Sequence, residues 1–218
     1  MPENTLFTVR TDEDKLTLFD PASSLWKNAQ KITIDRFPSG EHAFSEKGYG
    51  WTNLTQVSSV WNELAIFFFF ECWHSRSLAS GTETPVNQVN DSEPETATLV
   101  LRPEGCENYF RITVDSMGNQ SSAHVLQLST DVDRDWDPAT DIRILHSDTE
   151  KIWRAFLRLP YEPMVEDSRF GRCPEVGDAW RLDLHRTAGH EETRELLSWR
   201  PAKSGLLVSG HLIFIGVV

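Results

Sequence analysis

Four consecutive phenylalanines, Phe67 to Phe70, close an unbroken apolar run that begins at Leu64. A bilayer-spanning helix needs about 20 apolar residues, so this run is far too short to cross a membrane. Its length and aromatic content predict a central β-strand buried on both faces. The rest of the chain has the pattern to build around such a strand. Ile32 and Ile34 alternate with polar neighbours from Lys31 to Asp35. Trp153, Ala155, Leu157 and Leu159 fall on one side of a period-two pattern, and Arg154, Phe156 and Arg158 on the other. Trp180, Leu182 and Leu184 alternate in the same way with Arg181, Asp183 and His185.

Turn residues separate these runs. Ala97 to Leu101 and Tyr109 to Val114 flank Pro103-Glu104-Gly105, which reads as a hairpin connection. Ile142 to Leu145 and Ile152 to Leu159 flank Ser147-Asp148-Thr149-Glu150, a second hairpin. Val125, Leu126 and Leu128 suggest one further strand, and Leu196 to Trp199 and His211 to Val217 finish the chain. About ten or eleven strands with turns between them predict an all-β fold, a single antiparallel β-sandwich of two packed sheets. All 218 residues fit one such domain. Helix signals are few: Asp20 could cap a turn that Pro21 opens. Leu78 to Glu95 is polar and acidic, with two prolines, and reads as a long surface loop.

Charge narrows the functional classes. Lys and Arg number 21 against 33 Asp and Glu, a formal net charge of −12. That balance opposes nucleic-acid binding, which needs a basic face, and docking on anionic membranes. Three cysteines without metal-ligand spacing read as free thiols in a reducing compartment. With no secretory signal in the first twenty residues, the expectation is a cytoplasmic protein.

Catalytic and metal motifs are sparse. The seven histidines form no HExxH or His-x-His pair, and no Gly-x-Ser-x-Gly elbow or phosphate-cradling glycine loop appears. Asp131, Asp133 and Asp135 alternate like the start of a calcium loop. Trp136 stands where an EF-hand needs glycine, and Ile142 where it needs glutamate. An EF-hand is excluded; a looser structural calcium site on these three aspartates is the weak candidate, and a solvated acidic loop the plainer reading. No cofactor is otherwise implied. Trp51, Trp61, Trp73 and Trp136 are not obvious core positions, although a tryptophan in a sandwich is more often core than ligand platform.

An ordered set of motifs then carries a resemblance. The segments are Trp153 to Pro160, Gly177-Asp178-Ala179-Trp180-Arg181-Leu182-Asp183-Leu184-His185-Arg186, Leu197-Ser198-Trp199-Arg200-Pro201, and Gly210-His211-Leu212-Ile213-Phe214. Upstream stand Thr98 to Pro103, Tyr109 to Gly118, and Trp26 followed by Ala29. In this order they resemble carbohydrate-binding module family 9 and its uncharacterised bacterial relatives, across nearly the whole chain. The resemblance implies a non-catalytic β-sandwich that holds a mono- or oligosaccharide at a concave sheet face. Such proteins clamp a sugar between two tryptophans. Here no aromatic stands from Leu78 to Leu101, and Ala202 to Ser209 has none either. The family's strand arginine falls on Arg111, and its amide position on Asp183. The implied saccharide site is Arg111 as donor, Asp183 as acceptor, His185 on the same face by period two, and Trp199 as the nearest aromatic. The alternative is a protein–protein interaction module on the same sandwich, with sugar binding lost.

Overall fold

The computed structural model describes residues 5–13, 15–37, 53–74, 94–125, 132–165, 172–189, 194–200 and 210–216. Among them are thirteen strands: β1 (Thr5–Arg10), β2 (Ile32–Ile34), β3 (Thr55–Trp61), β4 (Ala65–Trp73), β5 (Thr96–Arg102), β6 (Tyr109–Asp115), β7 (Gln120–Val125), β8 (Val132–Asp133), β9 (Asp141–Ser147), β10 (Ile152–Pro160), β11 (Ala179–Ala188), β12 (Glu195–Ser198) and β13 (Gly210–Ile215). Three short helices accompany them: α1 (Lys15–Leu18), α2 (Ser24–Asn28) and α3 (Glu162–Val165).

The strands follow one hydrogen-bonded path, β8-β7-β6-β5-β11-β13-β1-β3-β4-β10-β9, with β12 joined to β11 and β2 to β3. The all-β expectation holds, but the purely antiparallel two-sheet arrangement does not describe these pairings. β1 lies between β13 and β3 and runs parallel to both, which makes the sheet mixed. The path curls back on itself. Leu99, Ile112 and Leu184 from one half share a single apolar cluster with Phe68, Trp153 and Leu157 from the other.

β4 is the strand that the apolar run foretold. Ile66, Phe68, Phe70 and Cys72 face the main cluster. Ala65, Phe67 and Phe69 face a second one, formed with Leu18, Phe19, Trp26 and Phe156 under α1 and α2. Period-two alternation divides the run between two interiors. Leu64, which opens the run in the sequence, lies before the strand and is 70% exposed. The two hairpins form as expected, β5 with β6 and β9 with β10. Gly105 at the first turn takes φ 72°, the left-handed region that glycine enters without steric cost.

Two local readings change. Asp20 does not cap a helix: its Oδ1 accepts from the Ala22 amide, and Ser23 caps α2 through the Leu25 amide. The short aspartate side chain closes a turn over its own backbone and leaves the cap to the next hydroxyl. Glu95, assigned to the surface loop, is buried at the mouth of β5. Of that loop, 78–93 lies outside the described residues, as do Leu126 and Leu128.

Candidate functional site

β6, β5 and β11 are antiparallel neighbours, and their registers fix what shares a face. Arg111 stands opposite Val100, and Val100 opposite Asp183. Directly opposed residues in a ladder point to the same side. Leu99, Leu101, Phe110, Ile112, Leu182 and Leu184 occupy the core side, so Arg111, Val100 and Asp183 form a row on the face turned away from the core. A second row holds Thr113, Thr98, His185 and Ser198. The Thr98 and Thr113 hydroxyls lie 2.9 Å apart and bond each other. A third row crosses Arg102, Arg181 and His211, where an Arg181 N–H donates to His211 Nε2. The sequence thus brings Arg111, Asp183 and His185 onto one face, through strands far apart in the chain.

Arg111 is exposed and makes no ion pair among the described residues. Asp183 is only 5% exposed. Its Oδ1 accepts from the Leu184 amide at 2.9 Å, and its Oδ2 lies 3.7 Å from His185 Nε2. Burial pushes the Asp183 carboxyl up to about 7, against the opposing pull of the Leu184 amide and the Arg200 charge. Burial also holds the His185 imidazole below its ordinary range. Both groups are therefore driven toward their uncharged forms, and their contact near neutrality is not an ion pair. A protonated carboxyl both donates and accepts, as a sugar hydroxyl does.

Trp199 does not join this face. It is 6% exposed and belongs to the main apolar cluster, with its ring laid over Gly210. A Cβ at Gly210 would stand 2.4 Å from Trp199 Cζ3 and 2.7 Å from the Leu182 carbonyl oxygen, so the missing side chain is what admits the indole. Among the described residues of β6, β5 and β11, the aromatic on the outer face is Tyr109. It precedes Arg111 by two positions on β6, half-buried, while Phe110 between them points into the core. The same alternation that placed His185 beside Asp183 would have found it. Of the other tryptophans, Trp61 is core and its indole N–H bonds the Ile215 carbonyl. Trp136 packs against the main cluster beside Phe110, and Trp51 lies outside the described residues.

The calcium candidate gathers no further support. Asp131 lies outside the described residues, Asp133 and Asp135 are exposed, and Asp133 Oδ1 accepts from the Asp135 amide. Among the described residues no three His, Cys, Asp or Glu side chains converge as metal ligands. A cavity of about 590 Å³ between the end of β1 and α2, with Val9, Thr11, Leu25 and Ala29 in its wall, includes none of the residues of the outer face. No described helix is long and apolar enough to cross a membrane.

No family model and no curated protein matches the chain. Solved structures do. A proposed carbohydrate-binding protein from Bacteroides uniformis aligns with a TM-score of 0.60 at 11% identity, over 97% of this chain and 99% of its own. A carbohydrate-binding module of family 9 from Caldicellulosiruptor kristjanssonii, in complex with glucose, gives 0.60 at 8% identity, over 98% and 97%. The same organism's family 9 module with cellotriose gives 0.60 at 10% identity, over 98% and 95%. At these identities the likeness is one of fold, and the fold is that of a family 9 carbohydrate-binding module.

Proposed function

We propose that residues 1–218 act as one non-catalytic saccharide-binding unit, with the ligand on the outer face of β6, β5 and β11. The register that sets Arg111 and Asp183 on either side of Val100 carries this reading. It sets an exposed guanidinium donor and a carboxyl near its neutral form about two strand spacings apart, roughly 10 Å, the span of one or two sugar rings. Arg111 donates to ring or hydroxyl oxygens. Asp183 accepts and, when protonated, also donates. His185 and the Thr98–Thr113 pair supply further polar contacts on the next row. Tyr109 offers an apolar ring to the C–H face of the sugar, the part that the family's tryptophans play elsewhere. The glucose and cellotriose complexes of fold relatives favour the same ligand class. The reading needs no cofactor.

A panel of mono- and oligosaccharides followed by calorimetry tests it. We expect saturable binding of at least one sugar, lost in Arg111→Ala and Tyr109→Ala. Binding that survives both substitutions would move the site elsewhere, and turnover of a glycoside would overturn the non-catalytic reading.

The second reading is an interaction module that has lost sugar binding. The burial of Trp199 favours it, since that removes from reach the tryptophan nearest the face. A panel without any saturable response, together with a protein partner whose binding Arg111→Glu abolishes, would establish it.

A further inference from the structure

The cavity between the end of β1 and α2 measures about 590 Å³, a volume typical of small-molecule sites. Its wall has two characters. Val9, Leu25 and Ala29 make an apolar side, while Thr11, Asp12, Glu13 and Asn28 bring polar groups. Asp12, Glu13 and Asn28 are exposed, and their side chains make no hydrogen bond or ion pair among the described residues. Arg10, the cation in the described lining, is committed to others. Its guanidinium donates to Glu63 at 2.7 Å and lies 5.7 Å from the Trp61 ring centroid. Glu63 thus offsets Arg10, and the Asp12 and Glu13 carboxylates are left without a counter-charge among the described residues.

Thr11 supplies a second, independent sign of a ligand. It lines the cavity and is 4% exposed. Its hydroxyl accepts from the Glu13 amide at 3.0 Å, and the hydroxyl's own proton has no acceptor among the described residues. A buried donor left unmatched costs stability unless a bound group accepts from it.

We infer that this cavity binds an amino sugar, at a place separate from the outer face of β6, β5 and β11. The ammonium meets the Asp12 and Glu13 carboxylates through charge-assisted bonds. A sugar hydroxyl accepts from Thr11, a neighbouring one bonds the Asn28 amide, and the C–H face of the ring lies along Leu25, Val9 and Ala29. A plain alkylamine would leave the Thr11 proton unmatched, and a neutral sugar would leave the carboxylates so. The formal charge of −12 on the chain draws such a cation in.

Calorimetry on residues 1–218 carrying Arg111→Ala tests this, because that substitution removes the donor of the outer face. The probes are the glucosamine disaccharide in slightly acidic buffer, its N-acetylated form, and cadaverine. We expect the free-amine sugar to bind at least about tenfold more tightly than the acetylated one. That advantage should fall with added salt. It should vanish when Asp12→Asn and Glu13→Gln are added, two exposed changes that leave the melting temperature where it was. Equal affinity for the two sugars, or an advantage that survives the added pair, overturns the inference. Cadaverine that binds as tightly as the amino sugar reduces the site to a simple amine pocket and overturns it as well, as does the failure of every probe. None of these outcomes bears on the outer face, which neutral sugars and the parent chain test separately.

Discussion

Arg186 and Glu95 meet inside the apolar interior, the guanidinium wholly buried and the carboxylate nearly so. Arg186 lies on the core side of β11, in line with Trp180, Leu182 and Leu184. Its guanidinium sits over the Trp153 ring of β10 at 4.9 Å. Glu95 completes the knot by accepting from the Trp153 indole at 3.0 Å and from the Gly189 amide at 2.9 Å. One carboxylate thereby ties the start of β5 to β10, on the opposite half of the curled sheet, and to the end of β11. Removing one member leaves an uncompensated charge in the interior. Glu95→Ala should cost about 3–5 kcal/mol in denaturant unfolding, and Arg186→Met added to it should recover part of the loss. A single variant within about 1 kcal/mol of the parent would show the pair to be solvated.

The same carboxylate sets a low-pH limit. Burial alone would raise the Glu95 pKa. The Arg186 charge and the bonds from Gly189, Arg186 and Trp153 outweigh it and hold the group below its ordinary range. A depressed folded pKa gives stability that is present above the unfolded value of 4.5 and lost as pH falls through the folded value. Melting temperature should therefore drop on acidification below that value in the parent, and less steeply in the Glu95→Gln, Arg186→Met double variant.

Asp183 works in the other direction. Its pKa rises from 3.8 to about 7 on folding, so the folded chain holds a proton that the unfolded chain has lost. Its contribution is complete below pH 3.8 and is lost as pH rises through 7. Asp183→Asn keeps an uncharged polar group there, and its stability relative to the parent should climb between those limits. A flat difference across that window would mean that the carboxyl is not perturbed.

Arg111 should separate binding from folding. It is exposed and unengaged among the described residues, so Arg111→Ala should shift stability by less than about 0.5 kcal/mol while abolishing saccharide binding. A large stability loss would instead make it a structural residue.

The second apolar cluster offers a packing test. Phe69 and Phe156 stack with ring centroids 4.4 Å apart and planes 10° from parallel, between the sheet and Trp26 of α2. Phe69→Ala should cost about 3–5 kcal/mol. Gly210→Ala should cost about 1–3 kcal/mol, because its methyl meets the Trp199 ring and a backbone oxygen that cannot give way. Changed tryptophan emission in Gly210→Ala would report the displaced indole.

Alternation made much of this molecule legible. It marks which side of a strand is apolar, so the division of Phe67 to Phe70 between two interiors and the shared face of Asp183 and His185 could both be read from residue order. It does not mark which strand lies beside which. The parallel placement of β1 between β13 and β3 was therefore invisible. Trp199 misled because an aromatic beside polar positions reads equally as platform or core, and Gly210 on another strand decides between them. Glu95 was missed because its partners come from β10 and β11, while its neighbours in sequence read as loop. Arg186 and Tyr109 were within reach. Each occupies the side that its strand's alternation dictates, one inward against its polarity and the other outward against its aromatic character.

The position of β1 carries a kinetic consequence. Thr5 finds its register against His211, a partner nearly the full sequence away, and Val9 must also meet Val60. The seam between the halves of the sheet cannot close during synthesis until β13 has left the ribosome. Contacts so remote along the chain make for slow folding, in milliseconds to seconds rather than microseconds. Until that seam closes, β13 and the Val60–Trp61 end of β3 that β2 leaves uncovered present bare edges on which a second nascent copy could add a strand.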